Sequence, residues 1–413
     1  MQSRARDTSA LAVGSTINGI LAYVFFALTT RAIGSESAAP VSVLWTYWSF
    51  AAAAITFPIQ HWIARSVAAH GGEGAVRQQL TRVTLSMLGV SAATGALAWL
   101  GRGSLFHSQD LWFPLLIATV TIGSVLSGVV RGALTGRRQF VSVAVEFVGE
   151  NSLRCAAVVA IMVAGATSPV YYGLCLAIGP LVALCWPSAL RFSTKAREGH
   201  RESSLTFIGG AAGGQLIGQA ILTGGPVVLA LSGARPHEVT ALFAALALFR
   251  APYVLALGLV TQLTGRLTSL VVQNRLADLR RIRLVVLVTT VVASVGAAAI
   301  GAVLGPPLLR LIFGPDVTIA GDLALVLAIG STVALGNLVL TVALLAQNRG
   351  GVVARVWTIG LLGGVVCFAA VDTGALARTC LAFLAAEVVA FAASYVEQVR
   401  WSSRRVAAAT PVG

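Results

Sequence analysis

The chain has 413 residues, of which 57% are hydrophobic and 11% charged, with a mean hydropathy of +0.85 and a net charge of +14. A soluble globular chain carries about 25% charged residues, so most of this surface must face lipid, and the class is a polytopic membrane protein. No polar stretch is long enough to fold as a soluble domain, and the basic balance reads as membrane topology rather than as nucleic-acid binding.

A helix needs roughly 20 apolar residues to cross a hydrocarbon core of about 30 Å. That ruler predicts twelve spans, near residues 9–30, 41–64, 82–101, 111–133, 142–165, 169–190, 205–231, 239–263, 282–304, 320–346, 352–371 and 377–397. The first is longer than a signal-peptide core, and no small-residue cleavage site ends it cleanly. With the N-terminus inside, the even loops, both termini and the adjoining span ends carry twenty-two of the 29 Lys and Arg, Arg131 and Arg283 among them. The outer loops carry five (Arg31, Arg102, Arg235, Arg310 and Arg378), and Arg154 and Arg250 lie deeper within spans. This bias fits the positive-inside rule and places both termini in the cytoplasm.

The chain also repeats itself. Leu105-Phe106 matches Ile312-Phe313, and Ile122-Gly123-Ser124 matches Ile329-Gly330-Ser331 at the same offset. Asp110 and Asp316 follow the aromatics, and a basic turn closes each copy, Gly136-Arg137-Arg138 and Asn348-Arg349-Gly350. The expected fold is all-α, with about 12 transmembrane helices in two six-helix bundles related by a parallel pseudo-two-fold repeat. The halves are residues 1–190 and 205–413, the latter with a short cytoplasmic tail, joined by a charged cytoplasmic linker, 191–204. Two further segments, Val67–Arg82 and Leu267–Arg281, read as amphipathic pieces at the cytoplasmic face or as solvated loops.

Charge inside a span is costly and normally faces a cavity or a partner. In the fifth span Glu146, Glu150 and Arg154 recur every four residues and share one helix face, beside Asn151. Glu150 and Arg154 can pair within the helix, so the group reads either as self-paired and structural or as a relay in which Glu146, Glu150 and Arg154 couple a proton or sodium ion, with Glu146 the less compensated carboxylate. Glu387 in the last span has no basic residue in its own turn and is the other candidate. Arg250 lies mid-span with Pro252 two residues on, where proline frees backbone groups beside the guanidinium. Arg suits bidentate phosphate binding, so Arg250 is the leading contact for a diphosphate or other anion, against a structural ion pair. The Gly-rich seventh span carries Gln215 and Gln219 on one face; bending around a cavity and tight small-residue packing both fit it. Asn18 is the polar position of similar character in the first span. Gln60 and Gln262 read as interfacial residues.

Enzyme signatures are missing. There is no phosphate loop and no His-Glu-x-x-His, the five histidines make no ligand spacing, and no acidic pair sits in an outer loop to hold a metal. The five cysteines lie in or near apolar spans and read as small packing residues. No metal, cofactor or catalytic residue is expected.

Leu308-Leu309-Arg310-Leu311-Ile312-Phe313-Gly314-Pro315-Asp316 resembles the segment after the ninth helix of Wzx-type polysaccharide flippases. Ala343–Arg349 with Gly350–Trp357 resembles that family's tenth-to-eleventh helix turn. Gly132–Phe140 resembles its Gly-Arg-x-Phe turn, with one extra residue before the Phe. The resemblance implies the multidrug/oligosaccharidyl-lipid/polysaccharide exporter superfamily: alternating access around a central cavity, driven by an ion gradient. It further implies that the first, second, seventh and eighth spans line that cavity, which brings Asn18, Gln215, Gln219 and Arg250 to the substrate. The function so implied is flipping of a polyprenyl-diphosphate-linked saccharide in a bacterial plasma membrane, beside polysaccharide-assembly proteins. An ion-coupled multidrug antiporter and, behind it, a membrane enzyme of saccharide assembly are the competing readings.

Overall fold

The computed structural model describes residues 2–70, 73–193, 204–257 and 260–409, and their regular structure is helical throughout. Helix α1 (Gln2–Ala51) covers the first expected span and enters the second. It bends at Gly34, where φ is +75° and ψ 168°, a conformation that a side chain would oppose. A π-helical turn, Ala52–Thr56, then leads into α2 (Phe57–His70). Helices α3 (Gly74–Leu100), α5 (Trp112–Gly136) and α6 (Phe140–Val163) supply the third to fifth spans, with a short α4 (Arg102–Phe106) after the third.

The next three spans are interrupted rather than continuous. The sixth starts as α7 (Pro169–Ile178) and tightens into 3-10 turns at Gly179–Cys185 and Pro187–Leu190. The seventh breaks at Gly224 between α8 (Ser204–Thr223) and α9 (Gly225–Leu231). The eighth consists of α10 (Pro236–Phe249), α11 (Ala251–Leu257) and α12 (Val260–Val272). Proline at the start of α9 and of α10, and in the first turn of α11, lacks the N–H that would extend the preceding helix. Four long helices finish the chain: α13 (Leu276–Phe313), α14 (Gly321–Ala346), α15 (Gly350–Ala370) and α16 (Ala375–Ala409).

Among the described residues, seven stretches are long and apolar enough to cross a membrane, the first of them, Val13–Val67, covering two expected spans. Helix α6 is long enough but is not one of the seven, because it carries Glu146, Glu150 and Arg154. The chain packs as two units, residues 1–241 with 312–317, and 242–311 with 318–413. In the first, α6 runs along α1, while α2 and α3 pack on α5. In the second, α14 and α15 pack on α16, and α12 lies on α14. The linker expected at 191–204 falls mostly outside the described residues.

The sequence repeat has a packing counterpart. A Cβ on Gly123 of α5 would meet Pro180 Cγ at 2.7 Å, and one on Gly330 of α14 would meet Phe383 Cε1 at 2.5 Å. Each copy therefore uses glycine to bring its fourth helix against its sixth. The serines that follow, Ser124 and Ser331, are both buried. The basic turns match as well: Arg138 and Asn348 take left-handed φ values of 59° and 58°. The next N–H in each case, Gln139 and Arg349, reaches back to Leu134 O (2.9 Å) and Leu344 O (3.0 Å), capping the helix end.

Candidate functional site

The first unit holds a buried ionic network on α5 and α6. Arg131, 5% exposed, donates to both Glu146 and Glu150, and Arg154, fully buried, donates to Glu150 from the other side. Arg154 also donates to Leu176 O (3.0 Å) and to Asn151 Oδ1 (2.8 Å), and Asn151 in turn donates to Asn18 Oδ1 on α1 (2.7 Å). The guanidinium of Arg131 sits 4.0 Å from the Phe147 ring centre, and that of Arg154 sits 4.5 Å from Trp48. Gly179 leaves the room that Arg154 fills, since a Cβ there would collide with the guanidinium.

Glu146 has one arginine partner, Arg131, across the α5–α6 turn, and its Oε1 has no hydrogen bond among the described residues, whereas Glu150 is held by two arginines. Arg131, counted with the cytoplasmic span ends, is buried inside the bundle. Two guanidinium and two carboxylate groups balance in charge, and their mutual attraction offsets the desolvation cost of the charged side chains that α6 carries. Asn18 belongs to the same network, held by α6.

The second unit holds a different group. Glu387 on α16 is fully buried and accepts from Asn337 Nδ2 of α14 at 2.7 Å; Asn337 also donates to the Glu387 carbonyl at 2.9 Å. Glu387 Oε1 and Asn337 Oδ1 are buried acceptors without a hydrogen bond among the described residues. Arg250 stands at the break between α10 and α11, is 9% exposed, and donates through Nε to Leu246 O at 2.8 Å. Asn337 escaped the sequence reading, since a single Asn in an apolar helix carries no pattern.

On the seventh span, Gln219 donates to Thr223 Oγ1 within its own helix at 3.2 Å. The side chains of Gln215 and Gln262 lie outside the described residues. Each basic turn clamps a carboxylate. Arg137 donates to Glu73 Oε1 (2.6 Å), Ser188 O (2.9 Å) and Arg191 O (3.0 Å), and Arg349 donates to Glu397 Oε2 (2.7 Å). Partial burial pushes the Glu73 carboxyl up. Its bonds to Arg137 and to the Ser193 N–H, with the Arg137 charge, outweigh that and hold it below its ordinary value.

No protein-family model matches the chain, and no curated protein matches it by sequence. Solved structures do match its fold. An inward-facing multidrug resistance MATE family transporter of the MOP superfamily superposes with a TM-score of 0.71 at 12% identity, over 98% of this chain and 100% of that one. The lipid II flippase MurJ, in an inward closed conformation, gives 0.68 at 13% identity over 94% and 87%. A MOP superfamily transporter from Pyrococcus furiosus, described as having a binding pocket of reversed polarity, gives 0.62 at 13% over 96% and 95%. At such identities the likeness is one of fold: the chain has the twelve-helix, two-lobed, all-helical architecture of these proteins.

Proposed function

We propose that the chain is a transporter that flips a polyprenyl-diphosphate-linked saccharide from the cytoplasmic to the outer leaflet by alternating access. The observation that carries this reading is the buried Arg250 at a proline-broken helix, in the same unit as the buried carboxyl of Glu387. A guanidinium at such a break can take the diphosphate, while the lipid tail remains in the bilayer. Glu387, buried in the same unit, is the proposed site that couples an ion to this binding. Glu146, Glu150 and Arg154, being charge-balanced with Arg131, serve this scheme as a rigid post; Asn18, Gln215 and Gln219 remain the proposed saccharide contacts. The halves 1–190 and 205–413, cytoplasmic termini and a bacterial plasma membrane complete the proposal.

The test is lipid-linked saccharide in cells carrying Arg250→Ala, with protein level matched. Accumulation on the cytoplasmic side supports the reading; unchanged export removes Arg250 from it. A second reading, a multidrug antiporter, is favoured by the fold likeness to the multidrug MATE transporter and by the buried carboxylate of Glu387. Intact export in the gene deletion, with raised sensitivity to cationic drugs, selects it instead.

A further inference from the structure

The second unit has one strongly basic end, where α13 and α15 begin and α14 and α16 finish. Arg275, Arg280, Arg281, Arg349, Arg355, Arg400, Arg404 and Arg405 gather there on these helices and their turns. Asp278 pairs with Arg275 (2.6 Å), and Glu397 is shared by Arg349, Arg355 and Arg400. Arg283, about two turns into α13, is 8% exposed and has no carboxylate within salt-bridge distance among the described residues.

Arg283 lines a small cavity between α12, α13, α14 and α16, with Leu267, Ala343, Gln347, Gln398 and Ser402. Its Nη1 donates to Ser402 Oγ at 3.2 Å, and its guanidinium lies 5.4 Å from the Tyr395 ring centre. Its Nε and Gln347 Oε1 are both buried without a hydrogen-bond partner among the described residues. Gln398 is turned away, donating to Leu340 O at 2.9 Å. A buried cation that faces no anion is expensive, and the space beside it holds about one water-sized particle. One phosphoryl oxygen has that size. The amide of Gln347 can turn to offer its N–H₂ beside the guanidinium.

We propose that this cavity is an anion subsite that seats one phosphoryl oxygen of an anionic phospholipid headgroup, with the surrounding arginines meeting the rest of the headgroup. Anionic leaflets attract such basic clusters in general; the buried Arg283 makes this a defined site rather than a diffuse one. It lies apart from Arg250 and Glu387 and does not depend on what the transporter moves.

The test compares thermal stability and retained lipid, the latter by native mass spectrometry, for the whole chain in phosphatidylglycerol and phosphatidylcholine nanodiscs. Wild type should be more stable in phosphatidylglycerol and retain it, whereas Arg283→Gln should bind it about tenfold more weakly or worse. Ala343→Val, which narrows the cavity and keeps every charge, should lose the same preference and guards against a folding defect in the first variant. Arg404→Gln, an exposed arginine at the same end, should keep most of it. Inorganic phosphate added to the detergent-solubilised protein separates the sources. An Arg283-dependent shift with phosphate, but no preference for phosphatidylglycerol, keeps the anion subsite and assigns it to free phosphate, which overturns the lipid assignment. Equal losses in Arg283→Gln and Arg404→Gln, or neither a phosphatidylglycerol preference nor a phosphate shift in wild type, overturn the subsite altogether.

Discussion

Arg131 is the side chain on which the ionic network of the first unit turns. Replacing it with Ala leaves Glu146 and Glu150 buried with only Arg154 nearby, and should cost about 3–5 kcal/mol. Thermal or denaturant unfolding in detergent reads this, and a loss below about 1 kcal/mol would show that water already reaches the group. Gly179→Ala should destabilise by about 1–3 kcal/mol, because its Cβ meets the Arg154 guanidinium. Glu73 gives a pH signature. Its folded pKa lies below the ordinary 4.5, so its stabilising share is full above that value and lost as pH falls through the folded pKa. The stability gap between wild type and Glu73→Gln should therefore be flat above pH 4.5 and close at lower pH. A gap that persists unchanged into strong acid would exclude the clamp as its source.

At the scale of elements, the helix ends and the close crossings carry the testable content. Arg138 and Asn348 occupy the same left-handed cap position in the two repeat copies. Arg resists that conformation more than Asn does. Arg138→Gly should thus raise stability by a few tenths to about 1 kcal/mol, with a smaller gain for Asn348→Gly. Equal effects in scanning calorimetry would mean that the turn relaxes around Arg138. The same two turns, and the glycines at Gly123 and Gly330, explain why the repeat survives in so few letters. A helix needs its own residue type only where a neighbour comes close or a cap demands positive φ; elsewhere any apolar side chain serves against lipid.

For the whole molecule, the proposed coupling predicts a separation of folding from transport. Glu387→Gln keeps an oxygen for Asn337 to bond, so expression and unfolding temperature should stay near those of wild type. Transport in proteoliposomes should lose its dependence on the imposed proton or sodium gradient. Gradient-dependent transport in Glu387→Gln would move the coupling elsewhere.

Sequence alone determined the membrane class, the approximate placing of the helices, the two-copy design and the residues whose charge is costly in lipid. These properties follow from composition and from spacing along one helix, which are local. It found Glu146, Glu150, Arg154, Arg250 and Glu387 for that reason. What it could not supply was the partner of each. Arg131 meets Glu146 from the neighbouring helix, Asn151 meets Asn18 from a distant span, and Asn337 meets Glu387 from α14 on α16. Whether a buried charge is neutralised, hydrogen-bonded or left facing a void depends on what neighbouring helices bring within a few ångströms. Periodicity along one helix fixes the direction in which a side chain points, and only the tertiary packing decides what it meets there.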